Sequence, residues 1–308
     1  MTEFQVPGMV VRLQAGFFTV KCGEEMITCQ LRGRLKQYHK MEDLVAVGDR
    51  VLVSLENENK GTIEEIEERE RTLVRTAPTA RGVYKQILLA NPDQAVFVFA
   101  CAEPSPSLRM LDRFVVIAEK QKIQVLIVAN KVELTGRQKA EAMFSPYTAL
   151  GYKVVYSSAK EKIGIEELRG QLLKKISAFA GPSGVGKTSL LNALRPGLGL
   201  EVRSVKESST KGRHTTTVRQ LFELDEKSWV ADLPGIRQLS VWDIEPEELD
   251  AYFCEFKNHV AACQFSDCRH EMEPGCAIKQ AVHDGEISAA RYDSYLRLRK
   301  EIENSQKY

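Results

Sequence analysis

The sequence has no apolar run long enough to cross a membrane, because its hydrophobic stretches stay short of the roughly 20 residues that a spanning helix needs. Its first residues, MTEFQVPGMV, lack the basic segment and apolar run of a secretory signal. An excess of charge is also missing, since 43 Lys and Arg residues face 42 Asp and Glu residues. We therefore expect a cytoplasmic globular protein, and its global charge gives no argument for a nucleic-acid partner.

Cysteine is too sparse and too unevenly placed for a disulfide framework, because the chain has seven cysteines, an odd number. Three of them surround one histidine in the pattern Cys263-x4-Cys268-x-His270-x5-Cys276. Three thiolates and one imidazole form a common closed tetrahedral zinc set, which leaves no position for water. We predict one structural Zn²⁺ here; the alternative is a group of free buried cysteines with an incidental histidine. The nearby residues Cys254, His259 and His283 are expected to belong to the core or the surface.

The hydrophobic pattern changes twice along the chain, which predicts three domains with the bounds 1–70, 71–243 and 244–308. Short alternating runs broken by glycine fill the first and predict about five strands, in the manner of an OB-fold barrel. The acidic run Glu64–Glu70 that follows is expected to be a solvated edge and linker. The last unit is helical and carries the cysteines.

The middle unit shows the alternation of strands and helices that is typical of a parallel α/β sheet. Continuous apolar runs predict buried strands at Gln94–Ala100 and Val125–Ala129, with a helix over Leu108–Lys120 between them. A strand at Tyr152–Tyr156 and a helix near Ile165–Ile176 follow. The fold class is therefore multidomain α/β, with an N-terminal barrel and a C-terminal helical metal-binding unit.

A phosphate-binding loop follows the strand at 176–180. It matches the pattern of a glycine, four residues, Gly-Lys and a hydroxyl residue, and comprises Gly181, Pro182, Ser183, Gly184, Val185, Gly186, Lys187 and Thr188, followed by Ser189. The glycines allow backbone N–H groups to point at phosphates, Lys187 reaches the β and γ phosphates, and Thr188 offers its hydroxyl to Mg²⁺. A chance glycine-rich turn is the alternative.

A base-recognition box favours guanine over adenine. Asn130, Lys131 and Glu133 resemble the NKxD box of GTPases, although Glu replaces the usual Asp, and Ser158, Ala159 and Lys160 resemble the SAK loop behind the base. A carboxylate accepts from both N1–H and the exocyclic amine of guanine, whereas adenine lacks that donor pair. An ordinary surface turn after a strand is the alternative.

A switch segment resembling DxxG spans Asp232 to Gly235, where Asp232 would hold Mg²⁺ through a water molecule. One threonine among residues 215–217 is expected to bind Mg²⁺ with GTP present, and we favour Thr216; the alternative for this run is the start of a strand. Ile236 occupies the position of the glutamine that orients water in Ras-like enzymes, so we expect slow intrinsic hydrolysis. His214 is a candidate to position water, and a structural role is equally open.

These motifs occur in circularly permuted order, with the base box before the phosphate loop. Together with the zinc pattern they resemble, over nearly the whole chain, the RsgA family of ribosome small-subunit-dependent GTPases. The resemblance implies GTP and GDP as ligands with Mg²⁺, binding to the 30S subunit and its 16S rRNA late in assembly, and hydrolysis stimulated by that subunit. Two residues depart from the family pattern: Glu133 for Asp, and Leu233 for the usual Thr.

Local basic patches are the only feature of the residues themselves that favours RNA. The first patch comprises Arg32, Arg34, Lys36, His39 and Lys40; the second comprises Arg203, Lys206, Lys211, Arg213 and Arg219; the third comprises Arg291, Arg297, Arg299 and Lys300. Each patch has a solvated face as its alternative. Two other functions stay open, a nucleotide-switched RNA binder with negligible hydrolysis and an ATPase, and a monomer is expected because no heptad or sheet-edge pattern indicates a dimer.

Overall fold

The computed structural model describes residues 5–37, 43–57, 59–79, 82–198, 219–225, 227–233 and 244–305. Within these ranges the strands are β1 Gln5–Gln14, β2 Phe17–Cys22, β3 Glu25–Leu31, β4 Arg50–Asn57, β5 Lys60–Ile66, β6 Thr72–Thr79, β7 Gly82–Ala90, β8 Gln94–Ala100, β9 Gln124–Asn130, β10 Lys153–Ser157, β11 Ile176–Ala180, β12 Arg219–Asp225 and β13 Ser228–Asp232. The α-helices are α1 Leu108–Lys120, α2 Arg137–Ala149, α3 Ile165–Leu172, α4 Lys187–Leu194, α5 Ala277–His283 and α6 Ala289–Ser305. None of the helices in these ranges combines the length and apolar character needed to pass through a bilayer.

Strands β1 to β5 close into a barrel, which confirms the predicted OB-fold. Their order is β1-β2-β3-β5-β4, and β4 pairs back onto β1. Alternate residues point inward, so that Ile27 and Cys29 of β3 are buried while Thr28 between them is exposed. Val10, Val20 and Ile63 complete the interior with other aliphatic side chains.

The acidic run after the barrel is not simply solvated, which corrects the prediction for Glu64. This residue lies in β5 and is only 4% exposed. Its Oε1 accepts a hydrogen bond of 2.9 Å from Arg32, and Arg34 lies 3.8 Å from Oε2. The reason is that β5 extends to Ile66, and its pairing with β4 shifts register between Leu52 and Val53, where Glu64 is buried next to Ile63.

A second, mostly parallel sheet has the strand order β10-β9-β8-β11-β13-β12, in which β12 alone runs antiparallel to its neighbour. Every residue of β8 is buried, as its continuous apolar sequence predicts. Helices α3 and α4 pack on one face, while α1, α2 and the C-terminal unit pack on the other. The sheet therefore forms the middle of three layers.

The predicted helix Leu108–Lys120 and strand Gln94–Ala100 have those bounds in the structure. The helix predicted over 165–176 is too long, because Leu173 leaves the helical region with ψ at 129° and β11 begins at Ile176. Helix α2 was not predicted, since its amphipathic pattern is weak and Pro146 lies inside it. The hairpin of β6 and β7 was also not predicted.

The barrel and the parallel sheet are joined by main-chain pairing. Strand β1 pairs antiparallel with β12, with Arg12 opposite Gln220, so that eleven described strands form one continuous sheet. The carboxylate of Asp43 reinforces the junction, because it accepts hydrogen bonds from Arg219 at 2.8 Å and from the Tyr84 hydroxyl at 2.7 Å. The barrel, the hairpin and β12 are therefore held together.

The C-terminal unit packs around aromatic side chains and docks on α1 through helix α6. The ring centroids of Phe253 and Phe256 lie 5.4 and 5.0 Å from that of Tyr295 on α6. Aromatic side chains bury a large apolar area each, so these rings form much of the core of a short, loop-rich unit. The unit begins with three short 3₁₀ segments, Pro246–Tyr252, Cys254–Phe256 and Val260–Ala262.

Two arginines of the third predicted basic patch are buried, so the prediction that its residues share one exposed face is wrong. Arg291 is 2% exposed and donates to Asp112 of α1 at 2.8 Å and to Glu255 at 2.7 and 2.9 Å. Arg299 is 3% exposed and donates to the Pro246 carbonyl at 2.5 Å. Both side chains face neighbouring elements because α6 turns one side of its helix toward α1 and the 3₁₀ segment.

Candidate nucleotide and metal sites

The predicted nucleotide motifs meet at one edge of the parallel sheet. Strand β9 ends at Asn130, β10 at Ser157, β11 at Ala180 and β13 at Asp232. Parallel strands end at the same edge, so motifs that are far apart in sequence become neighbours there, as in other open α/β sheets. The permuted order of the motifs thus leaves their spatial arrangement intact.

The phosphate loop has a backbone that only glycine adopts without strain at three positions. Gly181 has a φ of 154°, Gly184 a φ of 81° and Gly186 a φ of 94°. A Cβ atom on Gly181 would lie 2.1 Å from the carbonyl oxygen of Val98, and one on Gly186 would lie 2.5 Å from Nδ2 of Asn130. The loop leads directly into α4, which begins at Lys187, so backbone N–H groups of the helix start adjoin the loop.

Lys187 and Asp232 form an electrostatically coupled pair. The ammonium group donates to the carbonyl oxygens of Gly181 at 2.8 Å and Pro182 at 3.0 Å. Burial lowers the pKa of Lys187, and the nearby Asp232 opposes that shift; burial raises the pKa of Asp232, and Lys187 opposes it in turn. Oδ1 of Asp232 is buried and has no hydrogen-bond partner within the described part of the chain. A buried orphan oxygen of this kind fits a water molecule or a hydrated cation.

Asn130 ties the base box to the phosphate loop. Its Nδ2 donates to the carbonyl oxygen of Val185 at 2.8 Å, and its Oδ1 accepts from the hydroxyl of Ser157 at 3.2 Å. Both Asn130 and Ser157 are fully buried. The sequence motif predicts that Ser158 lies at the base, and it assigns no role to Ser157, the serine directly before it.

Glu133, in the same base box as Asn130, provides a hydrogen-bond acceptor without a partner in the described part of the chain. The residue is half-buried, and its Oε2 is buried with no hydrogen-bond partner among the described residues. Lys131 before it has a left-handed backbone with φ at 63°, and its ammonium group donates to the carbonyl of Glu103. The hydroxyl of Ser158 accepts from the backbone N–H of Glu161 at 3.0 Å, which fixes the loop after β10, where Lys160 is exposed. An orphan carboxylate suits a ligand that brings two N–H donors, as guanine does.

Part of the predicted switch lies outside the described residues. His214, Thr215, Thr216, Thr217, Gly235 and Ile236 all fall there, so their roles stay predictions. The structure brings together the phosphate loop, the base box and Asp232.

The predicted zinc ligands lie together. The ligand atoms of Cys263, Cys268, His270 and Cys276 are all within 4.8 Å of one another. Nδ1 of His270 lies 3.6 Å from Sγ of Cys263 and 3.4 Å from Sγ of Cys276. Cys254, His259 and His283 are not part of this cluster, as predicted. Three sulfurs and one ring nitrogen at this separation have the donor chemistry of a tetrahedral zinc site.

The surroundings of His270 hold the ring in the orientation that such a site needs. Its Nε2 lies 3.4 Å from Oδ2 of Asp250, and its ring is flanked edge-on by Phe256 with centroids 5.9 Å apart. Burial, followed by the neighbouring thiols, raises the pKa of Cys268 to about 12. Thiols in these surroundings become ligands when a cation compensates their negative charge, so the residues fit a bound Zn²⁺. Sequence reasoning missed Asp250, which lies thirteen residues before the first cysteine.

The fold and the site define a circularly permuted P-loop GTPase with an N-terminal OB-fold barrel and a C-terminal Cys₃His cluster. Residues 66–242 match the family model described as RsgA GTPase, and residues 7–63 match the model of the RsgA N-terminal domain. The chain therefore belongs to the RsgA GTPase family of GTP-hydrolysing enzymes.

Similar proteins support this assignment over the full length. A small ribosomal subunit biogenesis GTPase RsgA of Gemmatimonas aurantiaca is 41% identical over 298 residues, which are 96% of this chain and 97% of that protein. The crystal structure of YjeQ from Thermotoga maritima superposes with a TM-score of 0.80 at 38% identity, covering 97% of this chain and 99% of that one. YloQ, described as a circularly permuted GTPase, gives a TM-score of 0.76 at 33% identity, with 98% and 96% coverage.

Proposed function

We propose that this protein binds the 30S ribosomal subunit late in its assembly, contacts 16S rRNA, and hydrolyses GTP to GDP at a rate that the subunit stimulates. The relatives named for small-subunit biogenesis support the partner. One observation carries the nucleotide chemistry: Asn130 locks the base box to the phosphate loop, with the orphan oxygens of Glu133 and Asp232 beside it. We further propose that the protein acts as a monomer in the cytoplasm.

The nucleotide is held from two sides in this proposal. Asn130, Lys131 and Glu133 bind guanine, with the backbone and side chains of Ser158, Ala159 and Lys160 behind the base. The backbone N–H groups from Gly181 to Ser189 surround the phosphates, and Lys187 exchanges its two carbonyl partners for phosphate oxygens. Because Asn130 donates a hydrogen bond to the phosphate loop, the same side chain positions both the base box and the loop.

Magnesium, when bound, neutralises charge on the β and γ phosphates. The hydroxyl of Thr188, the carboxylate of Asp232 through a water molecule, and the hydroxyl of Thr216 would hold it. His214 positions the attacking water, because Ile236 has no group that does so. The slow hydrolysis expected from Ile236 explains why stimulation by a partner is part of the proposal.

The three predicted domains divide the work. Residues 1–70 contact RNA through their basic surface, and residues 71–243 bind and hydrolyse GTP. Residues 244–308 are stabilised by one Zn²⁺ bound at Cys263, Cys268, His270 and Cys276. The zinc role is structural, since four protein ligands leave no position open for substrate or water. The docking of α6 on α1 connects this last unit to the nucleotide domain.

The test is co-sedimentation of the protein with purified 30S subunits in the presence of a non-hydrolysable GTP analogue, GDP or an ATP analogue. We expect at least tenfold more protein in the subunit fraction with the GTP analogue than with GDP, and no gain with the ATP analogue. A Lys187→Ala variant, which cannot hold the phosphates, should sediment equally in all three conditions. Equal retention of the unaltered protein with every nucleotide would contradict the proposal.

A further inference from the structure

A groove with a volume of about 620 Å³ lies between the parallel sheet and the C-terminal unit. On the sheet side it is lined by Lys122, Tyr152 and Lys153, where β9 and β10 begin. On the other side it is lined by Tyr252 and Lys257. We call this feature the lysine groove. Both units contribute to it, so a ligand bound there would contact both at once.

The charge of the lysine groove is not neutralised by its own surroundings. Lys122, Lys153 and Lys257 are exposed, and none of the three has a carboxylate partner within 4.0 Å among the residues that the structure describes. The lining includes one carboxylate, that of Glu119, and it accepts a hydrogen bond of 2.9 Å from the hydroxyl of Tyr152. Three ammonium groups around one concave surface attract a polyanion.

This arrangement differs from that of the nearby arginines on α1 and α6. Arg109 and Arg297 both pair with Asp293, at 3.1 and 2.9 Å, and Arg113 pairs with Glu301. Each of these arginines therefore has a carboxylate partner, whereas the three lysines of the groove have none within 4.0 Å among the described residues.

Two tyrosine rings make the groove more suitable for RNA than for a free anion. Tyr152 and Tyr252 are half-buried, and Lys120 holds the ring of Tyr252 at 5.4 Å from its ammonium nitrogen. Fixed rings next to flexible ammonium groups offer stacking for bases and point charges for phosphates, the combination found in grooves for single-stranded nucleic acid. A small inorganic anion would use the charges and leave the rings unused.

The groove is separate from the nucleotide site. Gln124 and Lys153 are the first residues of β9 and β10, whereas Asn130 and Ser157 are the last. Seven residues of strand β9 separate the two edges by about 20 Å. GTP and a groove ligand can therefore be bound at the same time.

We propose that the lysine groove is an RNA-binding surface, in which Lys122, Lys153 and Lys257 contact backbone phosphates of one RNA segment across the junction of the two units. This inference rests on the proposed function for the identity of the RNA, which would belong to the small subunit. It adds a contact surface at the edge of the parallel sheet opposite to the ends of β9 and β10 at Asn130 and Ser157.

The test replaces the three lysines by glutamine and measures binding of purified 30S subunits, and of a fluorescent single-stranded 16S rRNA fragment, between 50 and 300 mM salt. We expect at least tenfold weaker binding. The slope of log affinity against log salt should become less negative by about 2, since each phosphate contact with a single strand contributes about 0.7. Basal GTP hydrolysis should not change. A Lys→Arg triple variant, which keeps the charges, should retain binding.

The matched control replaces Lys139, Lys174 and Lys227, three exposed lysines outside the groove, by glutamine. Equal losses in the control and in the groove variant would reduce the effect to net charge and overturn the inference. Unchanged binding by the groove variant would overturn it while leaving the proposed function intact. If the unaltered protein binds no subunits, the proposed function fails, and the rRNA fragment alone then decides whether the groove binds RNA. Competition by inorganic phosphate as effective as by RNA would also overturn it.

Discussion

Glu133 is the residue at which this chain differs most informatively from the family pattern. Its side chain is one methylene longer than the usual aspartate, which moves the carboxylate relative to the base. The buried Oε2 atom has no partner within the described residues, so the acceptor is free to meet the donors of guanine. We therefore propose that the longer side chain still supplies the acceptor that selects guanine.

Replacing this carboxylate tests its role. We expect Glu133→Ala to weaken GDP binding by about 100-fold, because hydrogen bonds to a charged group are worth about 1.5–3 kcal/mol each and tenfold in affinity corresponds to about 1.4 kcal/mol. ATP binding should not weaken. Competition of GTP, GDP and ATP against a fluorescent GDP measures both effects. Glu161→Ala, an exposed acid on the neighbouring loop, is the control and should leave selectivity unchanged. A variant at Glu133 that still prefers GTP to ATP would show that another group selects guanine.

The residues of the sequence motifs could be predicted from the sequence, whereas the residues that hydrogen-bond to them and hold them in place could not. The glycines, Lys187 and the cysteine ligands follow from motif spacing, because each motif is local. Ser157 and Asp250 act through partners 27 and 20 residues away, and only the folded strand order brings those partners together. Asn130 was predicted as a base contact, but its bond to Val185 depends on β9 and β11 ending at the same edge.

At the scale of elements, the C-terminal unit contains the Cys₃His cluster and docks on α1 through helix α6. A unit built largely of short 3₁₀ segments and two helices has a small apolar core, so a metal ion bound at the cluster would contribute directly to its folding. The carboxylate of Asp250, on the 3₁₀ segment Pro246–Tyr252, holds Nε2 of His270 and thereby turns Nδ1 toward the thiols. Partners of this kind tune metal affinity without touching the metal.

Removing that partner should weaken zinc binding without removing a ligand. We expect Asp250→Ala to bind Zn²⁺ about 10–100-fold more weakly, measured by competition with a chelator of known affinity. Asp284→Ala is the matched control, because Asp284 also contacts a histidine, His283, which lies outside the cluster. Equal zinc affinity of the Asp250→Ala variant and the unaltered protein would show that Asp250 does not orient the ligand.

The junction of α1 and α6 is fixed by a buried ionic network. Asp112 accepts from Arg291 at 2.8 Å, from the Tyr147 hydroxyl at 2.7 Å and from the Ser294 hydroxyl at 2.5 Å. These charges are almost fully removed from solvent, and each remains stable there only because the others are present. Burial alone would lower the pKa of the Arg291 guanidinium, but its hydrogen bonds and charge contacts with Glu255 and Asp112 outweigh burial and raise the pKa.

Breaking one member of the network should therefore be costly. We expect Asp112→Ala to reduce the free energy of unfolding by about 3–5 kcal/mol, because Arg291 is left with an uncompensated share of its charge. Urea unfolding followed by circular dichroism measures this. Asp293→Ala removes the exposed partner of Arg109 and Arg297 and should leave the unfolding midpoint unchanged. A midpoint shift as small for Asp112→Ala as for Asp293→Ala would contradict the account of this junction.

Among the elements, buried strands were predictable and helix α2 was not. Strand β8 carries its burial in an uninterrupted apolar sequence, whereas α2 has few buried residues and an internal proline. The prediction for the arginines of α6 was wrong for a related reason. A run of basic residues on a helix predicts a solvated face, but Arg291 and Arg299 are buried because acidic and carbonyl partners come from segments far away in the sequence.

In the whole molecule, the permuted order of motifs places the predicted switch in the chain next to strands that lead to the barrel and to the C-terminal unit. Strand β12 follows the predicted switch threonines and pairs with β1 of the barrel, while β13, which ends at Asp232, precedes the C-terminal unit in the chain. The barrel and the metal-binding unit thus both adjoin segments whose sequence predicts contact with the γ-phosphate. A partner that binds both outer units would therefore contact the chain segments that precede and follow the predicted switch.

GTP turnover with and without purified 30S subunits, at low and at high salt, tests this account most directly. We expect a slow basal rate, an increase by orders of magnitude when subunits are added, and loss of that increase at high salt, because phosphate contacts weaken steeply with salt. A turnover rate that subunits leave unchanged at low salt would contradict stimulation by the ribosome as the mechanism.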